Sequence, residues 1–200
     1  DGTHKIQLSP TRRFLIDQYS RIDQAPIHTL RNARTGKTIC QLESADISQL
    51  LELGFNLPER FVAKGRDGKT NIYGMVYRPR LFDPKYSYPV VEYIYAGPHD
   101  SHVPKSFMTR MRMFHLAELG FITVMVDGMG TDNRGKDFHD VCWKNLQDSG
   151  LPDHIAWLKA LNAKYPQCDI SNVGIFGTSA GGQSSTAALL HHSDFYRVAV

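Results

Sequence analysis

The sequence predicts an α/β domain, a mostly parallel sheet flanked by helices, preceded by a short run of antiparallel strands. Over residues 89–200, near-continuous apolar runs alternate with stretches of helical periodicity. That is the pattern of buried parallel strands joined by right-handed crossovers. Over residues 1–55, short alternating runs sit between turn residues instead, as in consecutive antiparallel strands. Composition agrees: 42% of the 200 residues are apolar types and 22% are charged, enough for a sizeable core and too apolar for disorder.

In the first region Ile6-Gln7-Leu8 and residues 13–19, 27–31 and 38–42 read as strands. Residues 32–37, with a late Gly36, form a hairpin turn. Three or four such strands in a row fit a small sheet or one propeller blade. The unit has no second copy here, so repetition does not itself argue for a propeller. Residues 45–53 read as a short helix ended by Gly54. From residue 56 the pattern changes. Residues 59–64 and 71–78 are strands around an Asp67-Gly68 turn, the second closed by Pro79. Residues 89–95 form a third, ending in Ala96-Gly97-Pro98. Helical spacing covers 107–119, with Met111, Phe114 and Leu119 on one face and Gly120 as the stop. Residues 121–126 and 173–176 are apolar strands, and 152–163 between them is a helix. Residues 179–190 form a helix of small residues, and 196–200 open a further strand. That strand needs a neighbour and a covering helix, so the domain is expected to continue outside this sequence. Its open edge predicts self-association.

Charge and motifs exclude several classes. Lys plus Arg total 23 against 20 for Asp plus Glu, with no dense basic run, which argues against nucleic-acid binding by phosphate neutralisation. No run of eighteen apolar residues is present, so no membrane-spanning helix is expected. The start is no signal peptide and lacks an initiator Met, which suggests processing or a piece of a longer chain. Three cysteines without a CxxC pair make a disulfide framework unexpected, although one bridge stays open.

The sharpest local signal is Gly177-Thr178-Ser179-Ala180-Gly181, followed by Gly182. It follows a buried strand and opens a helix, the context a GxSxG nucleophile elbow requires. Ser179 must then hold a strained turn position, and the flanking glycines make room for it. The backbone N–H of Ala180 points to the same spot and can stabilise an oxyanion. The competing reading is a Gly-rich helix start that Ser179 merely caps. No GxGxxG or Lys-Ser/Thr ending marks a nucleotide loop. A serine nucleophile needs a base, yet only His191 and His192 follow Ser179, twelve and thirteen residues on. At the rise of a helix that is about 18 Å away. They read as a polar helix end, and Asp194 fails as the acid for the same reason. Acid and base are therefore expected outside this sequence, and the chain alone should lack triad chemistry. Tyr95, at the end of the first core strand, is either a second oxyanion donor or a half-buried strand-end aromatic. Residues 127–135 form a loop on the same rim, where Arg134 is expected to pair with a carboxylate. His99, His102 and His139 lack metal-ligand spacing, and no metal or cofactor is expected.

Several segments occur in a fixed order: Leu8-Ser9-Pro10, Gly68-Lys69, Tyr73-Gly74, Tyr77-Arg78-Pro79 and Tyr88-Pro89-Val90. Tyr95-Ala96-Gly97-Pro98, Val126-Asp127-Gly128, Gly130-Thr131, Arg134-Gly135 and the elbow continue the series. In these motifs the chain resembles the prolyl oligopeptidase family of serine peptidases, specifically its dipeptidyl peptidase IV-like branch. The resemblance implies a partial α/β-hydrolase domain, its N-terminal half, over residues 56–200, truncated at 200. Residues 1–55 would be the end of a β-propeller and its linker. Ser179 would be the nucleophile, with Tyr95 and the Ala180 N–H as the oxyanion hole. The substrate implied is a peptide, often with proline or alanine before the cut bond. The resemblance implies a homodimeric parent protein; relatives are often exported or membrane-anchored outside the cytosol and others are cytosolic, so its location stays open. The branch often carries an aromatic after the nucleophile, where this chain has Ala180, and Met129 stands where relatives commonly have Arg. Exopeptidase and endopeptidase action both stay open. So do an esterase acting on small acyl esters and a non-catalytic binding domain.

Overall fold

A computed structural model describes residues 2–109 and 112–200. They form two compact units, one from residues 2–57 with 104–109, the other from 58–103 with 112–200.

In the first unit β1 (Thr3–Leu8), β2 (Phe14–Arg21), β3 (Gln24–Asn32) and β4 (Thr38–Ser44) pair antiparallel in chain order. All four strands expected from the sequence are present. The β3–β4 turn closes on Asn32, whose side-chain oxygen accepts the amides of Arg34 and Thr35 at 3.0 Å each. Asp17 is buried and paired with His4 at 2.8 Å and Arg31 at 3.0 Å. Helix α1 (Ser48–Glu52) is shorter than expected. Asp46 accepts the Ser48 amide at 2.8 Å, an Asx-type turn that holds the preceding residues outside the helix.

The second unit runs β5 (Glu59–Lys64), β6 (Asn71–Tyr77), β7 (Tyr88–Tyr93), α2 (Arg112–Glu118) and β8 (Ile122–Asp127). Then come α3 (Lys136–His139), α4 (Leu151–Lys164), β9 (Cys168–Phe176), α5 (Ala180–His191) and β10 (Tyr196–Ala199). Among the described residues its sheet has six strands, in the order β10-β9-β7-β8-β6-β5. β7 to β10 are parallel, whereas β6 is antiparallel to β8 and β5 to β6. The chain moves from β7 to β8 on one side and then crosses back to β9 on the other. The carboxyl ends of β7 and β9 therefore flank a point where strand order reverses, the place an open α/β sheet offers for a site.

All six residues of β8 are buried, as its apolar run requires. Trp157 of α4 is fully buried, meets the Phe61 ring edge-on at 5.1 Å and donates to the Phe61 carbonyl at 3.2 Å. α2 starts later than the periodicity suggests: residues 107–109 belong to the first unit, and Met111 lies outside the described residues. A short helix, α3, and a 3-10 turn at Asp140–Cys142 follow the 127–135 loop, in a stretch to which the sequence pattern assigns no element. All three cysteines are free. Burial pushes the Cys168 thiol up to about 11, so it packs as a small apolar group.

Candidate active site

Ser179 stands between β9 and α5 with φ 59° and ψ −120°. A non-glycine residue pays for such a backbone in strain of about 1–3 kcal/mol, which persists only where the surroundings enforce it. Here they do. A Cβ on Gly177 would overlap the backbone of Gly181, and one on Gly181 would overlap the Ile94 carbonyl oxygen and lie 3.5 Å from the Tyr95 Cα. Gly181 is required because the first turn of α5 sits directly on the end of β7, and Gly177 because the elbow folds back onto Gly181. Ser179 is exposed, and although it holds the N-cap position its side chain makes no capping hydrogen bond. The bland reading, a serine that caps a helix, finds no support in that geometry. The N–H of Ala180 lies in the first turn of α5, where no preceding turn supplies a carbonyl.

Tyr95 lies just beyond β7, which pairs with β9 through Tyr93 opposite Phe176. Ser179 and Tyr95 thus leave adjacent parallel strands at the same edge. The Tyr95 ring is half-buried, edge-on to His99 at 5.1 Å and tilted against His102 at 5.1 Å. His102 also meets Tyr93 edge-on at 4.9 Å, and Tyr93 stacks on Phe176 at 4.9 Å. Burial lowers the His102 pKa, against the smaller opposing pull of Asp127 and Asp100, so the ring is held neutral beside Tyr95.

Beneath this rim lies a buried polar cluster. Glu92 and His154 are both fully buried and hydrogen-bonded to each other. Tyr196 donates to the other Glu92 oxygen at 2.8 Å, and burial followed by that carboxylate drives its hydroxyl pKa well up. Gly128 donates its N–H to His154 Nε2 at 3.2 Å. Burial opposes charge on His154 and the Glu92 carboxylate favours it, with a net rise in pKa. The Gly128 bond needs a free lone pair on Nε2, so in this structure the proton sits on Nδ1, toward Glu92. Next door, Asp153 accepts the Met129 amide at 2.8 Å and the Arg66 amide at 2.8 Å, and pairs with the Arg66 guanidinium at 2.8 Å. Arg66 also donates to the Ser149 carbonyl.

The structure brings Ser179, Ala180 and Tyr95 to the same end of the sheet, with His99 and His102 against the Tyr95 ring, and leaves His139, His191, His192 and Arg134 with other partners. His191 and His192 close the far end of α5, where His192 pairs with Asp148 at 2.8 Å. His139 contacts the Pro98 carbonyl at 2.9 Å. Arg134 departs from the expected carboxylate pairing. It donates to the Asn71 carbonyl at 2.6 Å and lies over the Phe138 and Tyr73 rings at 4.4 and 4.9 Å, a cation–π arrangement. Among the described residues no three His, Cys, Asp or Glu side chains gather as a metal site. Sequence reasoning missed the Glu92–His154 pair. The one available signal was a charged residue inside an otherwise apolar strand.

Comparison with known proteins agrees with this architecture. The model of the prolyl oligopeptidase family matches residues 105–200. Human dipeptidyl peptidase 8 is 35% identical over 145 residues, 72% of this chain and 16% of that protein. A solved structure from Bacteroides ovatus ATCC 8483 superposes with TM-score 0.85 at 28% identity, over 98% of this chain and 28% of the other. Porphyromonas gingivalis dipeptidyl peptidase 4 gives TM-score 0.83 at 25% identity, over 99% of this chain and 28% of that one. The chain thus spans about a sixth of the length of the curated relative and about a quarter of each solved one. The ordered motifs, the strand order and these matches together assign the chain to the prolyl oligopeptidase family, in its dipeptidyl peptidase IV-like branch.

Proposed function

We propose that this chain carries the nucleophile and the oxyanion hole of a serine peptidase. The observation that carries the reading is Ser179 at φ 59° in a strand–turn–helix junction, exposed and free of any capping bond. Ser179 Oγ attacks the peptide carbonyl, and the Ala180 N–H and the Tyr95 hydroxyl receive the charge that develops on its oxygen. An acyl-enzyme forms, the amine leaves, and water hydrolyses the ester. The base and the orienting acid come from residues outside these 200, since His191 and His192 lie at the other end of α5. Residues 56–200 are then the N-terminal half of the hydrolase domain, and residues 1–55 are the end of a propeller with its linker. The substrate is a peptide or short oligopeptide, cut after proline or alanine. Ala180, lacking a bulky side chain, leaves one wall of the pocket to another residue.

The test is hydrolysis of dipeptidyl anilides in a polypeptide that also supplies the base. Ser179→Ala should abolish turnover. Tyr95→Phe should lower kcat about 10²–10³-fold with little change in KM, as for loss of one oxyanion donor. Full activity in either variant would remove that residue from the mechanism. The 200-residue chain by itself should not turn over.

A further inference from the structure

We propose that Glu92 and His154 are positioning residues that clamp the segment carrying Tyr95 into a closed ring of hydrogen bonds. The ring can be followed bond by bond. Glu92 on β7 bonds His154 on α4, and His154 Nε2 accepts the Gly128 N–H at 3.2 Å. Gly128 adjoins Asp127, whose carboxylate accepts the His102 amide at 2.7 Å and the Val103 amide at 3.1 Å. Residues 92 and 102–103 are therefore both tied to the Asp127-Gly128 dipeptide, and Tyr95 sits in the span between them. The His102 ring, fixed by its own backbone bond to Asp127, packs against Tyr95. Tyr196 on β10 takes the remaining Glu92 oxygen, so the carboxylate has one orientation.

Packing reinforces the ring. A Cβ on Gly128 would come within 2.8 Å of His154 Cδ2 and of the Gly150 carbonyl, so the dipeptide has no room to move on that side. Every side chain of the inner ring is buried: Glu92 and His154 at 0%, Tyr196 at 1% and Asp127 at 6% exposure. A buried network with all members satisfied rigidifies what it touches, and one broken member leaves the rest unpaired. The elbow presses on the same point, because the first turn of α5 abuts the Ile94 carbonyl. Clamping this segment thus fixes where the Tyr95 hydroxyl stands relative to Ser179. This last step rests on the proposed role of Tyr95. The clamp itself does not.

The experiment has two arms. Amide hydrogen exchange in the longer, base-supplying polypeptide reads the clamp apart from the chemistry. In the wild type, the Gly128 and Val103 amides should be protected, and unprotected exchange at both overturns the proposal. Glu92→Met should speed exchange across residues 94–103 by about tenfold or more while the β5–β6 pair keeps its protection. Glu92→Gln, whose carbonyl can accept from His154 and whose amide can donate to Tyr196, should restore it. Equal exchange in wild type and Glu92→Met overturns the clamp. Should Glu92→Met not fold, the wild-type amides still decide.

Kinetics in the base-supplying polypeptide read the positioning. Glu92→Met should lower kcat about tenfold at constant KM, Glu92→Gln should recover it, and Glu92→Met should cost nothing further in a Tyr95→Phe background. A loss in that background as large as in wild type overturns positioning through Tyr95. A clamp seen by exchange in a protein without peptidase activity would sink the proposed function and leave the clamp standing.

Discussion

At the scale of single residues the site depends on backbone that only certain side chains permit. Ser179 holds a positive φ because Gly177 and Gly181 let α5 sit against β7. His102 adds a pH dependence whose sign follows from burial. Its pKa in the folded chain lies below the ordinary 6.5, with Asp127, Asp100 and His99 as the charged or titratable groups acting on it. The unfolded chain therefore takes up a proton first as pH falls. The contribution of His102 to stability is complete above 6.5 and declines as pH drops from there toward the folded value. Denaturant midpoints at about pH 7.5 and about pH 5 should differ less in His102→Gln than in wild type. An unchanged difference would mean that other groups carry the acid sensitivity. The elbow was legible in the sequence because all its parts lie within six consecutive residues. Glu92 and His154, 62 positions apart, were not, since nothing local tells which helix will cover a strand. Arg134 was read as a charge seeking a charge, whereas two aromatic rings surround it.

At the scale of elements, apolar periodicity located the strands and most helices, and turn chemistry set their ends. Buried strands such as β8 were plain from composition alone. α3 is not legible in the sequence because the residues leading into it, Gly130, Asn133 and Gly135, are loop residues, and a four-residue helix has no period to detect. Apolar spacing extends α2 too far toward its N-terminus because Phe107 and Met108 continue the periodicity, although residues 107–109 group with the first unit and are not helical. The packing of α4 makes a direct prediction. Trp157 fills the space between its helix and the sheet, with its ring on Phe61 and its N–H on the Phe61 carbonyl. Trp157→Ala should destabilise the second unit by about 3–5 kcal/mol, measured by denaturant unfolding. A cost under about 1 kcal/mol would contradict the burial assigned to it.

At the scale of the whole molecule, an α/β sheet with an elbow after a buried strand follows from the sequence pattern, and the antiparallel set before it does as well; that the elbow stands where strand order reverses is visible only in the sheet topology. Sequence pattern left the first region as an unexplained small sheet, and resemblance supplied its reading as part of a propeller. β10 pairs with β9 on one side, and its Val198 and the following Val200 are largely exposed. An apolar strand edge of this kind recruits other strands. The 200-residue chain should therefore sediment as oligomers at micromolar concentration, and a stable monomer would refute that expectation. The central claim, that Ser179 is the nucleophile, is tested most directly by fluorophosphonate labelling with peptide mapping, in a polypeptide that supplies the base. The account predicts one adduct on the Ser179 peptide, absent in Ser179→Ala and slower to form in Tyr95→Phe. An adduct on another serine, or none on a protein that cleaves peptides, would contradict it.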